Sequence, residues 1–342
     1  MSYLNLPVPN KSEHLWRYTS WKRVHPTKID VVPKITPATV MVNGQITDSD
    51  TVNHNPLIEE ISRTFLAESN DTCHNITVDE QNSQLTIDVN GHDAMNSCNF
   101  HILAKSSGNI TLHISGDVEW FGISISGHLA KNVNLSFAII NDLNESATML
   151  RVEDWNIARD STLEYGELSI GGNRLKSDIR TYLRGENSSL TQNIAVYCST
   201  TRVDDHHIEI HHLSGRSNSS LSVKSACSDK GHAIGTGLLA IDEDCDQTDA
   251  GQVFKNLLLS DQAKAESIPE LEVLSDDVSA AHGAASSSVD EEQIHYLMTR
   301  GFTPEDAKAE IVEGFLISSF AKINNDTTRQ FLLDALSTQS HD

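Results

Sequence analysis

The 342-residue sequence lacks several patterns that define whole classes of protein. Only 25 basic residues stand against 48 acidic ones, a formal net charge of −23, so the chain repels nucleic-acid phosphates. The five cysteines are odd in number and show no CxxC spacing, which argues against a disulfide framework and a closed zinc site and favours a reducing compartment. No apolar run approaches the roughly 18 residues of a membrane span, and the N-terminal stretch has no apolar signal-peptide core. We therefore expect a cytoplasmic protein with no nucleic-acid partner and no membrane partner.

Enzyme signatures are also missing. The sequence contains no GxSxG nucleophile elbow, no Walker loop, no GxGxxG after a strand and no HExxH zinc motif. Carboxylates are too abundant for pattern alone to single out a catalytic pair, and aromatic residues, at 6%, are sparse for a sugar-binding groove. The motifs therefore single out no catalytic residue.

What the sequence does contain is a four-residue phrase that recurs six times, in which Asn or Asp is followed three residues later by leucine. The copies end at leucines spaced 23 to 31 residues apart, namely Leu85, Leu112, Leu135, Leu163, Leu190 and Leu221. Asn or Asp favours a turn through side-chain hydrogen bonds to nearby backbone. The alternation of apolar and polar residues that follows, as in 112–115, is typical of a strand with one buried face.

One phrase in each coil predicts a mainly β fold, a stacked β-helix or solenoid, because each coil buries its leucine only against its neighbours. The uneven spacing leaves a β-sandwich with coincidental turns as the alternative. Because β-helices often act on polysaccharides, a carbohydrate-active enzyme that uses a carboxylate pair also stays open, by analogy of fold alone.

The two flanks of the repeat have helical periodicity instead. Within residues 55–69 the apolar positions share one helical face, namely Leu57, Ile58, Ile61, Phe65 and Leu66. We predict an N-terminal helical or irregular region over 1–72, a β-helix core over 73–283 and a C-terminal helical domain over 284–342.

Three helices are predicted in the C-terminal region from their end signals. Ser288 with Glu291 matches a capping box, Gly301 ends that first helix, Thr303-Pro304 begins the second, and Asn325-Asp326 begins the third. The apolar residues of these helices either close the end of the solenoid or bind a partner.

The densest histidine cluster is Asp204 to His212. On a helix His207 and His211 would share a face at metal-ligand spacing, but the alternating isoleucines favour a strand, on which residues four apart lie about 13 Å from each other. On that strand His207, Glu209 and His211 line one face. A pair such as His207 and Glu209 is a candidate metal site, with a polar ladder on a strand face as the alternative.

From about residue 180 to 320 the chain carries a series of motifs in a fixed order. These are 247–250 (QTDA), 256–260 (NLLLS), 269–273 (PELEV), 276–278 (DDV), 282–284 (HGA) and 296–301 (YL and RG), with WRYT at 16–19 near the start. In order and spacing they resemble the SufB/SufD family, the scaffold subunits of the SUF iron–sulfur cluster assembly machinery. The LLLS, PELE and HGA phrases are SufD-like, and a SufB-like subunit is the alternative.

The resemblance implies a right-handed parallel β-helix flanked by helical ends. It implies a subunit that pairs through the C-terminal end of its β-helix with a SufB-type subunit, or with itself as a homodimer. Its C-terminal helices are expected to dock a SufC-type ABC ATPase, for which the candidate contact residues are Tyr296, Phe302, Ile311 and Phe315. ATP is hydrolysed by that partner, so the resemblance implies that this chain is not an enzyme and has no catalytic residue. An iron–sulfur cluster is then held transiently at the subunit interface, and none is bound stably by this chain alone.

The resemblance also identifies candidate site residues, and it shows two positions at which this sequence departs from the family pattern. It places His282 at the pairing surface, where a neutral imidazole binds iron or moves a proton; the alternative is a structural histidine at a strand-to-helix corner. Ala280 stands where family members commonly have a cysteine, and Phe254 lies near the sulfur-accepting cysteine position of SufB-like chains. Cys227 and Cys245 are the nearest sulfur candidates, although free cysteines are more often buried apolar fillers.

Overall fold

The structure is a computed structural model that describes residues 2–51 and 60–339. It is mainly β, with 50% strand and 18% helix. The strands form two large sheets, and successive strands from residue 72 onward enter the two sheets alternately.

The first sheet, sheet A, has nine strands in one path and a short strand at its side. In order along the path they are β4 Asp50–Thr51, β5 Thr72–Val78, β7 Met95–Ala104, β9 Trp120–Leu129, β11 Thr148–Ile157, β13 Arg174–Leu183, β15 Val203–His212, β17 His232–Ile241 and β19 Lys264–Val273, with β1 Thr36–Pro37 beside β7. The second, sheet B, consists of β3 Gln45–Ile46, β2 Thr39–Val42, β6 Gln84–Gly91, β8 Gly108–Gly116, β10 Asn134–Leu143, β12 Thr162–Ser169, β14 Ser189–Cys198, β16 Asn218–Cys227, β18 Thr248–Leu258 and β20 Val278–Ser288.

Each coil therefore gives one strand to each sheet, and neighbouring coils pair in parallel, as β12 pairs with β14 and β13 pairs with β15. The result is a β-solenoid of about 8 turns, with helices in the N-terminal and C-terminal segments of the chain. The predicted solenoid is confirmed. The β-sandwich alternative is wrong, because a sandwich is built from antiparallel strands within each sheet.

The six phrase leucines are all buried in the core that fills the inside of the solenoid. Their spacing is uneven because a leucine is in some cases displaced by two or four residues from the leucine on the neighbouring strand. Leu163 lies opposite Leu190, but Leu112 lies opposite Ile139, four residues beyond Leu135, and Leu221 lies opposite Gln192, two beyond Leu190. Because side chains alternate with a period of two, even shifts keep every leucine on the inner face.

The polar residues that open the phrases bend the chain between strands. Asn132, Asp160 and Asn187 have φ values of 60°, 57° and 59°, the left-handed conformation that Asn and Asp adopt at low cost. Their side chains also stack between coils, since Asn187 Nδ2 donates to Asp160 Oδ1 at 2.9 Å.

The N-terminal segment packs on the outer face of sheet A. It contains two 3₁₀ helices, Tyr3–Asn5 and His14–Trp16, and the helices α1 Trp21–Val24 and α2 Ile61–Ser69. Phe65 of α2 lies at the centre of an aromatic cluster with Tyr3, Trp21 and Trp120. The helix predicted over 55–69 is present from Ile61, whereas Leu57 and Ile58 lie outside the described residues.

The C-terminal helices pack on the outer face of sheet B around Leu316, Phe320 and Leu332. They are α3 Glu291–Thr299, α4 Pro304–Ile317, a 3₁₀ helix Phe320–Lys322, and α5 Asp326–Gln339. Of the helices in residues 2–51 and 60–339, none has both the length and the apolar character needed to cross a membrane.

The predicted helix starts are correct at α4 and α5 and wrong at α3. Thr303 accepts a hydrogen bond from the Asp306 backbone, and Asn325 accepts one from that of Thr328. Ser288 caps nothing, because β20 continues to this residue beside Leu258, and Asp290 is the N-cap of α3. The division into domains at 72/73 and 283/284 stays a prediction.

Candidate functional site

The C-terminal end of the solenoid is an open edge. The strands β19 and β20, with 10 and 11 residues, are the last of their sheets, and each pairs on one side only within the described chain. Their outer N–H and C=O groups are a ready template for pairing with another chain. The other end is different, because there the sheets finish in the two-residue strands β3 and β4, which pair antiparallel with their neighbours.

His282 lies on this edge. It sits in β20 opposite Gln252, and its side chain is exposed. In the described residues neither ring nitrogen makes a hydrogen bond. Its neighbour Gly283 has open space around it, since a Cβ at that position meets no atom within 4 Å. The structure thus leaves the imidazole accessible for coordination or proton transfer.

Cys245 lies beneath the same edge but faces inward. Its thiol donates to the carbonyl oxygen of His212 at 3.3 Å, and burial raises its pKa. It packs with Leu239 and Ala250, and Ala280 covers this small apolar cluster. A cysteine at position 280 would therefore border the cluster that contains Cys245, but the alanine found there offers no thiolate.

The structure does not bring Cys227 to His282. Cys227 stacks in register on Leu258, which stacks on Ser288. Since Ser288 is six residues beyond His282 in the same strand, the two positions are separated by about 20 Å along the strand direction. Cys227 is fully buried in the core of the solenoid.

His207 lies away from the edge, on the outer face of β15. The predicted strand and its faces are confirmed: His207 Nε2 contacts Glu209 Oε1 at 2.9 Å and His211 Nε2 contacts Glu209 Oε2 at 2.8 Å. The second nitrogen of His207 contacts Thr236 Oγ1 at 2.7 Å. Across residues 2–51 and 60–339 there is no group of three or more His, Cys, Asp or Glu side chains placed to hold a metal ion.

Phe254 fills the inside of the solenoid at the position that the resemblance relates to the sulfur-accepting cysteine of SufB-like chains. Its ring lies against Gly235 and Gly237, where any Cβ would overlap it. The two glycines thus make room for an aromatic side chain in place of a thiol.

The predicted partner-binding residues fall into two pairs. Tyr296 on α3 and Phe302 in the α3–α4 turn are 57% and 36% exposed. Ile311 and Phe315 on α4 are half-buried against sheet B, and Lys224 Nζ lies 5.5 Å from the centre of the Phe315 ring.

An ionic network inside the solenoid was not predicted. Arg151 binds Glu167 through two hydrogen bonds of 2.8 and 2.6 Å and contacts Glu153 Oε1 at 2.7 Å, and all three side chains are fully buried. His206 bridges Glu167 at 2.9 Å and Asp204 at 2.6 Å. The signal was present in the sequence, because these charges alternate with outward residues in strands that also place core residues such as Met149, Leu163 and Ile208 inward.

The network shifts the ionisation of its members. Burial alone favours a neutral Glu167, but Arg151 and His206 lower its pKa to about 2. Burial also disfavours charge on His206, yet the carboxylates of Asp204 and Glu167 raise its pKa to about 9. His206 is therefore a buried imidazolium at neutral pH.

The fold defines this chain as a parallel β-solenoid protein. Its exposed candidate site residue, His282, lies at the open C-terminal end of the solenoid. Residues 89–315 match the family model described as "SUF system FeS cluster assembly, SufBD core domain". The chain belongs to this family of iron–sulfur cluster assembly proteins, and it is SufD-like within it.

Individual relatives agree with this assignment. The chain is 29% identical to the iron–sulfur cluster assembly protein SufD of Escherichia coli over 225 residues, which cover 66% of this chain and 52% of that protein. It is 24% identical to SufD of Bacillus subtilis, with 75% and 55% covered, and 27% identical to the chloroplastic protein ABCI7 of Arabidopsis thaliana, with 58% and 42% covered. The chain spans about half the length of these curated relatives.

Proposed function

We propose that this protein is a non-enzymatic scaffold subunit of a SUF complex, working in the cytoplasm. In this proposal it pairs through β19 and β20 with a SufB-type subunit, or with a second copy of itself, and docks a SufC-type ATPase through its C-terminal helices. The iron–sulfur cluster is cargo, held transiently where the subunits meet. Ala280 and Phe254, which replace two cysteine positions, favour the SufD-like role over the SufB-like alternative.

The observation that carries the pairing proposal is the open edge of the last coil. Apolar residues accompany the free backbone groups: Leu274, which directly follows β19, is 57% exposed, and Val253 and Val273 are exposed nearby. An uncovered edge of this length with apolar neighbours is a predicted aggregation site unless another chain covers it. A strand or coil of a partner chain would pair with the free backbone groups and cover the exposed apolar side chains.

His282 has a role in this proposal because it lies on the edge that the partner covers. Its exposed imidazole offers one neutral nitrogen ligand. One nitrogen ligand does not hold an iron–sulfur cluster, so the remaining ligands must come from the partner subunit. This agrees with a cluster that is bound only at the interface.

The ATPase-docking proposal rests on Tyr296 and Phe302. Phe302 and Ala309 line a cavity of about 300 Å³ whose rim carries Asp306, Glu310, Glu313 and Arg300. An apolar centre with a mostly acidic rim suits a protein partner that presents basic residues around an apolar one. Ile311 and Phe315, in contrast, hold α4 on sheet B.

Co-expression with SufB-type and SufC-type subunits, followed by affinity purification and size-exclusion chromatography, tests the assembly. We expect a stable complex for the wild type and loss of the SufB-type subunit for Leu274→Glu. Ile46→Glu is the matched control, since Ile46 is 75% exposed at the opposite end of the solenoid. Equal loss in both variants, or no complex at all, would contradict pairing through the C-terminal edge.

Anaerobic cluster reconstitution of the purified complex tests His282. His282→Ala is expected to lower the cluster yield while the subunits still co-purify. An unchanged yield and an unchanged absorption spectrum would make the histidine architectural.

A further inference from the structure

Two cysteines that have no part in the proposed assembly role lie side by side inside the solenoid. Cys198 ends β14, Cys227 ends β16, and the register of these parallel strands places them directly opposite each other. Both are fully buried and belong to the core cluster. In-register residues of neighbouring parallel strands project from the same face, so the two thiols are neighbours.

The spacing of the strands decides what the pair can hold. Neighbouring strands lie about 4.8 Å apart. A disulfide needs Cβ atoms about 3.5 to 4.5 Å apart and sulfurs about 2 Å apart, which draws the two coils together. A cation bound in line between two thiolates, at about 2.3 Å from each sulfur, spans about 4.6 Å and leaves the strands in place.

We propose that Cys198 and Cys227 form a two-sulfur site for one soft d¹⁰ cation of the Cu(I) type. Thiolates select such ions over the harder divalent metals, and a two-ligand, in-line arrangement suits a monovalent ion. The site lies about 20 Å along the strand direction from the level of His282, so it is independent of the pairing edge.

The pKa values of the two thiols are shifted in opposite directions. A hydrogen bond with Cys198 lowers the pKa of Cys227. Burial raises the pKa of Cys198 well above its usual value, the hydrogen bond with Cys227 and the charge of Asp204 act in the same direction, and the Arg202 guanidinium opposes them. Cation binding requires both thiolates and therefore releases protons, so the affinity is expected to rise with pH.

The site lies just beneath the surface. Each cysteine is followed by a turn whose second residue, Thr200 or Asp229, is exposed and has a φ of 54° or 51°. The two turns are joined by the hydrogen bond from the Ser228 amide to the Cys198 carbonyl at 2.8 Å. Local opening of these turns gives a cation access without unfolding of the coils.

The other cysteines provide an internal comparison. Cys73 and Cys98 also lie on neighbouring strands, but the register of His74 with Phe100 offsets them by one residue. Their side chains therefore leave the sheet on opposite faces. Cys245 donates its thiol to a backbone carbonyl. Of the five cysteines, Cys198 and Cys227 are the pair that lie directly opposite each other on neighbouring strands.

Anaerobic titration of the reduced full-length protein with Cu(I), in competition with a chromophoric Cu(I) chelator, tests the proposal. We expect one ion bound per chain in the wild type and in Cys98→Ser, and loss of that ion in Cys198→Ser and in Cys227→Ser. Retention of the ion in either of these two variants, or its loss in Cys98→Ser, would overturn the proposal.

X-ray absorption of the wild-type Cu(I) complex gives a test that needs no variant. Two sulfur scatterers in a linear arrangement support the site, whereas three or more ligands, or nitrogen ligands, contradict it.

Mild peroxide treatment followed by intact-mass analysis tests whether the two cysteines form a disulfide instead. Ready formation of a Cys198–Cys227 disulfide in a protein that binds no Cu(I) would show that the coils approach more closely than the ladder spacing allows.

Discussion

The buried imidazolium of His206 makes a quantitative prediction about stability and pH. Its pKa is raised from an ordinary value of 6.5 to about 9 in the folded protein by two carboxylates. A raised folded-state pKa gives stability that is fully present below pH 6.5 and is lost as the pH rises through 9. Between these values the unfolded chain binds one proton fewer than the folded one.

The magnitude follows from the size of the shift. Each pKa unit corresponds to about 1.4 kcal/mol, so a shift from 6.5 to about 9 contributes about 3 kcal/mol to the free energy of unfolding. Glu167, with a pKa of about 2, is ionised in both states over this range and adds no slope. The expected slope is about −1.4 kcal/mol per pH unit between the two values.

Urea unfolding followed by far-ultraviolet circular dichroism, at several pH values from 6.5 to 9, measures this slope. His206→Gln keeps a hydrogen-bonding side chain without the charge, so it should be less stable at pH 6.5 and show a flatter profile. The other buried groups with shifted pKa values, such as Cys227, Cys198 and Glu153, are present in both proteins, so the difference between the two profiles isolates His206. A wild-type profile that is flat, or a slope that persists unchanged in His206→Gln, would refute the buried-imidazolium argument.

Three further predictions concern packing. Leu163→Ala should cost about 2 to 5 kcal/mol of unfolding free energy, against less than about 0.5 for the exposed Leu274→Ala in the same urea assay. Gly127→Ala should cost about 1 to 3 kcal/mol because its Cβ overlaps the Trp155 ring, whereas Gly314→Ala, with open space in a helix, should stabilise by about 0.5 to 1 kcal/mol. Lys224→Ala should speed hydrogen exchange in α4, because it removes the contact between Lys224 and the Phe315 ring. The control is Lys255→Ala, at an exposed position. Equal exchange in the two variants would contradict a role for Lys224 in holding α4 on sheet B.

Much of the fold was predictable because it depends on local, repeated signals. The turn residues and the leucines recur in six successive coils, and a solenoid needs contacts only between neighbouring coils. The strand assigned to Asp204–His212 and its two faces followed from alternation alone. The start of α3 was predicted wrongly, since Ser288 matched a capping box while strand pairing with Leu258 extended β20 through it.

The side-chain contacts were less predictable because they depend on register between coils. Cys198 and Cys227 are 29 residues apart in sequence, and only the pairing of β14 with β16 makes them neighbours. The network of Arg151, Glu167 and His206 joins three strands of both sheets. Inward charges were visible as exceptions to the pattern, but their partners were not.

The two ends of the solenoid differ in a way that would limit the size of the proposed homodimer. If a second copy of this chain adds to β19 and β20, the pair presents the two-residue strands β3 and β4 at both of its outer ends. A solenoid with ten-residue edges at both ends would instead grow head to tail into a filament. In the proposed pairing the short N-terminal strands would therefore stop growth at two chains.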